Sequence, residues 1–190
     1  MLSLEDQKEL TQFIHQRVKN KKIASSAMVR SPKTLAIGDK GDTCAIFTHH
    51  NSNISPVKCV SKIVKILGRH ISLKFSRMSV AVIRYPAPEG RFPPHVDHCN
   101  DGSFVFLTSL GRTARFSMKG PDMKITRVLA FGSGDALVFD PSTEAKLLHS
   151  VDGIERDASF SGSELERAFP ELTKGHRLGV QCRVLFSEKE

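Results

Sequence analysis

Tryptophan is absent from this 190-residue chain, and tyrosine occurs once, at Tyr85. Long apolar runs are missing too: no stretch approaches the ~20 residues that a helix needs to cross a bilayer, which excludes a helical membrane protein. The four cysteines, Cys44, Cys59, Cys99 and Cys182, form no close pairs, and the N-terminus lacks the basic start and apolar middle of a secretory signal. Together these absences argue against a disulfide scaffold and for a reducing, intracellular compartment. No internal repeat and no low-complexity tract interrupts the sequence.

Acidic residues are scarce in the first part of the chain. Residues 1–77 hold 14 Lys/Arg against 5 Asp/Glu, a balance of +9, whereas residues 78–190 hold 14 against 15, a balance of −1. The whole net charge of +8 therefore sits early. Such asymmetry marks either a surface for a polyanion, where lysine and arginine displace counterions from phosphates, or plain solvated helix faces. A nucleic acid is the expected partner under the first reading.

What is present fits one folded domain. The length suits a single core, and 39% hydrophobic with 25% charged residues is ordinary for a globular chain. Leu10, Phe13, Ile14 and Val18 recur at helical spacing after Ser3, a suitable N-cap, and predict an amphipathic helix over residues 4–19. Residues 23–54 read as loops around short strands such as Ala45-Ile46-Phe47. Ser55-Pro56 opens a second expected helix, with Val57, Val60, Ile63, Val64 and Leu67 on one face and Lys58, Lys62 and Lys65 on another.

From Ile71 the periodicity shortens. Strands are expected at Ser79–Tyr85, Ser103–Ser109, Ala114–Met118, Thr126–Phe131, Ala136–Phe139, Leu147–Val151 and Arg177–Phe186. Within them, residues 157–175 read as an inserted loop, where Ser163-Glu164-Leu165-Glu166 caps a short helix ended by Pro170. The expected class is α+β, mainly β: a jelly roll with N-terminal helices packed on one sheet. Residues 1–78 form its basic helical part and 79–190 its core.

The chemistry concentrates in a few polar residues. Arg84-Tyr85-Pro86-Ala87-Pro88-Glu89-Gly90-Arg91-Phe92-Pro93-Pro94-His95-Val96-Asp97 ends in His-x-Asp after a proline-stiffened turn. On an extended segment His95 and Asp97 leave the same face and can reach one ion. His149 follows a strand and a turn at Pro141-Ser142, placed to bring a third ligand from a neighbouring strand. Two imidazoles and one carboxylate are the facial ligand set of a non-haem iron oxygenase. Arg177 and Arg183, six apart on one expected strand, share a face and need an anion if buried, which a dicarboxylate would supply.

Other clusters carry less. His98 and Cys99 lack the further soft ligands of a zinc site, His49-His50 suits a polar loop, and Gly38-x-x-Gly41 lacks the Lys-Ser/Thr of a phosphate loop.

The pattern Tyr85…Gly90…His95-Val96-Asp97, then Gly134-Asp135 before His149, then Arg177-x-x-x-x-x-Arg183, resembles the iron(II)/2-oxoglutarate dioxygenase superfamily, over about residues 79–186. The paired arginines are similar to those of its AlkB-like branch. The resemblance implies a double-stranded β-helix, iron held by His95, Asp97 and His149, and Tyr85 with Arg177 on the distal carboxylate of 2-oxoglutarate. It puts Arg183 near the metal-chelating end. It further implies oxidative demethylation of N-methylated nucleic acid bases. Ile83 and Gly179 stand where the AlkB-like pattern has asparagines, which implies fewer hydrogen bonds to the cosubstrate, and His98-Cys99-Asn100-Asp101 replaces its acidic pair. A prolyl-hydroxylase-like enzyme acting on protein or small molecules fits the same framework, and so does a barrel that binds nucleic acid without turnover.

Overall fold

The computed structural model describes residues 1–19, 44–50, 73–156 and 163–188. Helix α1 (Leu4–Lys19) begins where Ser3 caps it: Ser3 Oγ accepts from the Asp6 amide at 3.1 Å, and Asp6 Oδ2 accepts from the Ser3 amide at 3.2 Å. Two donors that a helix start leaves open are thus satisfied reciprocally. Leu10 and Ile14, one turn apart, are each 1% exposed and face inward together. The second expected helix, the Lys58/Lys62/Lys65 row and Gly38-x-x-Gly41 lie outside the described residues.

Among the described residues nine strands follow: β1 (Cys44–His50), β2 (Leu73–Pro86), β3 (Phe92–His95), β4 (Ser103–Gly111), β5 (Ala114–Lys119), β6 (Arg127–Phe131), β7 (Ala136–Phe139), β8 (Leu148–Ile154) and β9 (His176–Glu188). Each strand expected between Ser79 and Phe186 is present. The strands pair antiparallel into a five-stranded sheet, β1-β2-β9-β4-β7, and a four-stranded sheet, β3-β8-β5-β6. This is the jelly-roll architecture, with α1 on the larger sheet.

The period of two along β2 and β9 divides the core. Val80 and Val82 with Leu178, Val180, Cys182 and Val184 form one buried cluster with Leu10, Ile14, Leu165, Phe169 and Leu172 from the helices. The alternate residue Tyr85 joins Phe116, Phe131, Val151 and Ile154 in a second cluster between the sheets. Residues on β9 that do not face the helices therefore face the inter-sheet space. Arg177, Gly179, Gln181 and Arg183 are those residues.

Strand β3 was not expected, because Pro93-Pro94 reads as a loop. Both prolines are exposed, and β3 is an edge strand, where a missing N–H removes no ladder bond. Ser163 Oγ accepts from the Glu166 amide at 3.1 Å and caps α2 (Glu164–Ala168), which stops just before Pro170 as expected; Pro170 then opens a further turn that was not expected, α3 (Pro170–Thr173). Proline suits a first helical position, where its lost donor has no partner to miss. Lys8 pairs with Glu164, and His15 Nδ1 lies 3.0 Å from Glu171 Oε1, so α1 is tied to both short helices.

Since Leu10 links α1, the inserted helices and the sheet, Leu10→Ala is expected to cost about 2–5 kcal/mol. Equilibrium urea unfolding of the two proteins measures this, and an unchanged midpoint would contradict the packing.

Candidate active site

His95 ends β3 and stands directly opposite His149 in the β3–β8 ladder, with ring centroids 4.2 Å apart. Asp97 follows on the same side. One side-chain donor atom from each of the three lies within 4.8 Å of the others, close enough for one ion to bridge them, and theirs is the one such group of His, Cys, Asp and Glu among the described residues.

The backbone orients both rings. His95 Nδ1 lies 2.9 Å from the Pro93 carbonyl, and His149 Nδ1 lies 3.1 Å from that of Leu147. Each Nδ1–H donates to the carbonyl two residues before it, which leaves Nε2 on the side toward Asp97. Burial pulls the pKa of His149 below its usual value, and the neighbouring His95 adds to this, against smaller opposing effects of the Leu147 carbonyl and Asp97. His149 is thus a neutral ring at neutral pH, the form that ligates a metal.

Asp97 divides its two oxygens. Oδ1 lies 3.6 Å from His95 Nε2, and Oδ2 lies 3.5 Å from Arg183 Nη2. Its loop is pinned from outside: the Cys99 amide donates to the Pro141 carbonyl at 3.2 Å, and Asn100 Oδ1 accepts from Thr143 N and Oγ1 at 2.9 and 2.7 Å. These bonds tie the segment after Asp97 to the β7–β8 loop that leads into His149. Phe92 packs on His95 at 4.6 Å and Phe139 on His149 at 4.9 Å between ring centroids. The ligand atoms therefore sit on an apolar wall.

Below them opens a cleft that, with the open space at its mouth, spans about 490 Å³. Its polar lining is Tyr85, His95, His149, Ser150, Arg177 and Gln181, and the rest is apolar apart from Gly179. Arg177 is 1% exposed, yet no carboxylate is paired with it among the described residues. Its Nε donates to Ser109 Oγ at 3.0 Å, its guanidinium carbon lies 5.1 Å from the Tyr85 ring centroid and 5.6 Å from that of Phe131, and its Nη2 has no hydrogen-bond partner. Burial presses the pKa of Arg177 down, partly countered by Tyr85; burial likewise pushes the Tyr85 phenol up, against the pull of the arginine. A buried cation with a free N–H beside a phenol is a cradle for an anion.

Gly179 makes room for this cradle. A Cβ there would lie 3.0 Å from Arg177 Nη1 and 3.1 Å from Tyr85 Cε2, so the guanidinium folds over bare backbone. Gly90 has a similar role one turn earlier: a Cβ would meet Tyr85 Cβ at 2.8 Å and the Pro86 carbonyl at 2.6 Å, and glycine lets the turn close behind the tyrosine.

The structure thus brings Tyr85, His95, His149 and Arg177 to one cleft, with Asp97 beside the two rings, and sets Arg183 against Asp97. His98 and Cys99 stay apart, and Cys99 Sγ donates to Asp101 Oδ1 at 3.2 Å. Gly134 and Asp135 belong to the turn before β7, where Asp135 Oδ2 accepts from the Gly132 amide at 2.8 Å. Gln181 went unnoticed in the sequence, although its spacing from Arg177 and Arg183 gave its face away. Two imidazoles, one carboxylate oxygen and a nearby unmet guanidinium fit a divalent ion with a dicarboxylate beside it.

Comparison with known proteins places this arrangement. The fold is similar to that of OsALKBH1, at a TM-score of 0.62 and 16% identity over 96% of this chain and 94% of that one. It is also similar to a Trichoplax adhaerens prolyl hydroxylase in complex with a hypoxia inducible factor oxygen degradation domain peptide, at a TM-score of 0.60 and 10% identity over 97% and 80%. A Pseudomonas putida prolyl-4-hydroxylase matches at 0.53 and 12% over 99% and 89%. No curated protein matches the sequence. The family model of the 2OG-Fe(II) oxygenase superfamily matches residues 3–183, and the chain belongs to that superfamily as an iron- and 2-oxoglutarate-dependent dioxygenase.

Proposed function

We propose that this dioxygenase removes methyl groups from N-methylated nucleic acid bases, with His95, Asp97 and His149 as its iron ligands. Tyr85 and Arg177 hold the distal carboxylate of 2-oxoglutarate. The observation that carries the branch assignment is the second arginine: Arg183 shares the inward face of β9 with Arg177 and reaches Asp97 Oδ2 at 3.5 Å. The excess of +9 over residues 1–77 supports a polyanionic substrate.

Each residue has a physical task. The carbonyls of Pro93 and Leu147 hold both rings with Nε2 inward, so both ring nitrogens already face the side of Asp97 before an ion arrives. Arg183 occupies one Asp97 oxygen and leaves the other to the metal. Arg177 neutralises the distal carboxylate in a site that excludes water, and Tyr85 donates its hydroxyl to the same group. When bound, ferrous iron with 2-oxoglutarate and oxygen supplies the oxidation of a substrate C–H bond. The apolar wall of Phe92, Phe116 and Phe139 keeps that chemistry dry. A hydroxylated N-methyl group then leaves as formaldehyde, and a base within a duplex has to be flipped out first.

Ile83 and Gly179, in place of the two asparagines, favour as a second reading hydroxylation of a protein or small molecule. Release of formaldehyde and succinate from methylated oligonucleotides, with none from proline-containing peptides, is expected. Succinate formed with peptides alone would reverse the assignment, and oligonucleotide binding without any succinate would identify a barrel that has lost turnover.

Single substitutions separate the roles. His95→Ala and Asp97→Ala are each expected to abolish bound iron in purified protein, and full iron occupancy in either variant refutes the ligand set. Arg177→Met removes a buried charge that has no anionic partner in the free protein. Its thermal midpoint should equal or exceed that of the parent, in line with replacements of buried charges by apolar groups that range from neutral to about 1–4 kcal/mol stabilising, while cosubstrate binding is lost. A large fall in the midpoint would mean that the arginine is there for the fold.

A further inference from the structure

The rungs of β9 set out the depth of the cleft. Arg183 pairs with Val105, which pairs in turn with Phe139, the ring against His149, so this rung is level with the histidines. Gln181 pairs with Leu107 one step deeper, then Gly179 with Ser109, and Arg177 with Gly111 at the far end. A strand rises about 3.3 Å per residue, which separates successive inward rungs by about 6.6 Å. The Arg177 side chain folds back over Gly179, since the Cβ position of that glycine is 3.0 Å from Arg177 Nη1. The guanidinium therefore lies at the Gly179 rung, and Gln181 occupies the single rung between it and the level of the histidines.

Gln181 is half-buried, lines the cleft and makes no side-chain hydrogen bond among the described residues. The other polar groups of the lining are already assigned or engaged. Tyr85 and Arg177 lie at the deep end, His95 and His149 turn Nε2 to the metal, and Ser150 Oγ donates to Asp152 Oδ1 at 2.6 Å. Arg183, a further donor at the metal side, gives Nη2 to Asp97 at 3.5 Å and keeps a buried Nε without a partner, but it does not line the cleft. One unengaged amide thus faces the stretch of cleft where the oxo-acid end of 2-oxoglutarate has to lie.

We propose that Gln181 is a cosubstrate-positioning residue that donates its side-chain amide to the metal-side carboxylate of 2-oxoglutarate. The assignment rests on the reading of this cleft as the 2-oxoglutarate site. It also explains how the chain manages with Ile83 and Gly179 at the two positions that hold asparagines in the AlkB-like pattern: the neutral donor has moved one rung toward the metal.

Binding to the Mn(II)-loaded protein, followed by calorimetry without oxygen or turnover, tests this with two ligands. One is 2-oxoglutarate; the other is 2-oxobutanoate, which keeps the oxo-acid end and lacks the distal carboxylate. Gln181→Leu is expected to weaken both by a similar factor of roughly ten, the worth of one hydrogen bond to a charged group. Arg177→Met should weaken 2-oxoglutarate alone. If Gln181→Leu binds both ligands as the parent does, or loses affinity for 2-oxoglutarate only, the proposal fails while the site reading stands. If Arg177→Met binds 2-oxoglutarate unchanged, the site reading itself fails. Gln181→Glu keeps the shape and sets carboxylate against carboxylate, so it decides the matter should the leucine variant not fold. It should bind both ligands more weakly than Gln181→Leu, and parent-like affinity would overturn the proposal.

Discussion

An arginine buried without an anion is the constraint around which this protein is arranged. Arg177 is almost fully enclosed, hydrogen-bonded to Ser109 through Nε and left with an unmet N–H on Nη2. Such a charge lowers the stability of the free protein unless something negative completes it. The neighbours are chosen to allow the charge, not to cancel it: Gly179 gives the guanidinium space, and Tyr85 and Phe131 flank it with rings. The completing anion has to come from outside, and a dicarboxylate that also reaches the histidines meets the requirement.

The histidine end is rigid for a different reason. His95 and His149 are paired residues in one antiparallel ladder, so their separation is set by strand geometry and not by loop conformation. Backbone carbonyls orient both rings, while Arg183 and the pinned loop after Asp97 fix the carboxylate. A site held this way stands ready before its ligands arrive, which is how a protein contributes when the metal carries the oxidation.

Much of this was legible in the sequence, because period and spacing are local signals. Helix α1 announced itself by Ser3 and the Leu10/Ile14 stripe, and the strands by short β-branched runs; the His-x-Asp pair and the two arginines obeyed the period of two. What escaped depended on neighbours. Strand β3 hides behind Pro93-Pro94, since only its edge position makes two prolines tolerable in a ladder. Pro170 marks the end of α2, but that it also opens α3 shows only once Phe169 is seen to separate two helical turns. Gly179 looked like a lost side chain, whereas the Arg177 guanidinium and the Tyr85 ring fill the space a side chain would take. Gln181 carries no motif: its spacing from Arg177 and Arg183 gives its face, but its depth in the cleft follows only from the pairing of β9 with β4.

The central claim is that one ion and one dicarboxylate share this cleft, the ion at the two histidines and Asp97, and the far carboxylate at Arg177. Anomalous diffraction at the iron edge, from crystals grown without oxygen in ferrous iron and 2-oxoglutarate, tests it directly. The account predicts a single iron peak bounded by His95, Asp97 and His149, with the distal carboxylate against Arg177 and Tyr85. An iron peak elsewhere, or a 2-oxoglutarate molecule that leaves the guanidinium untouched, would contradict it.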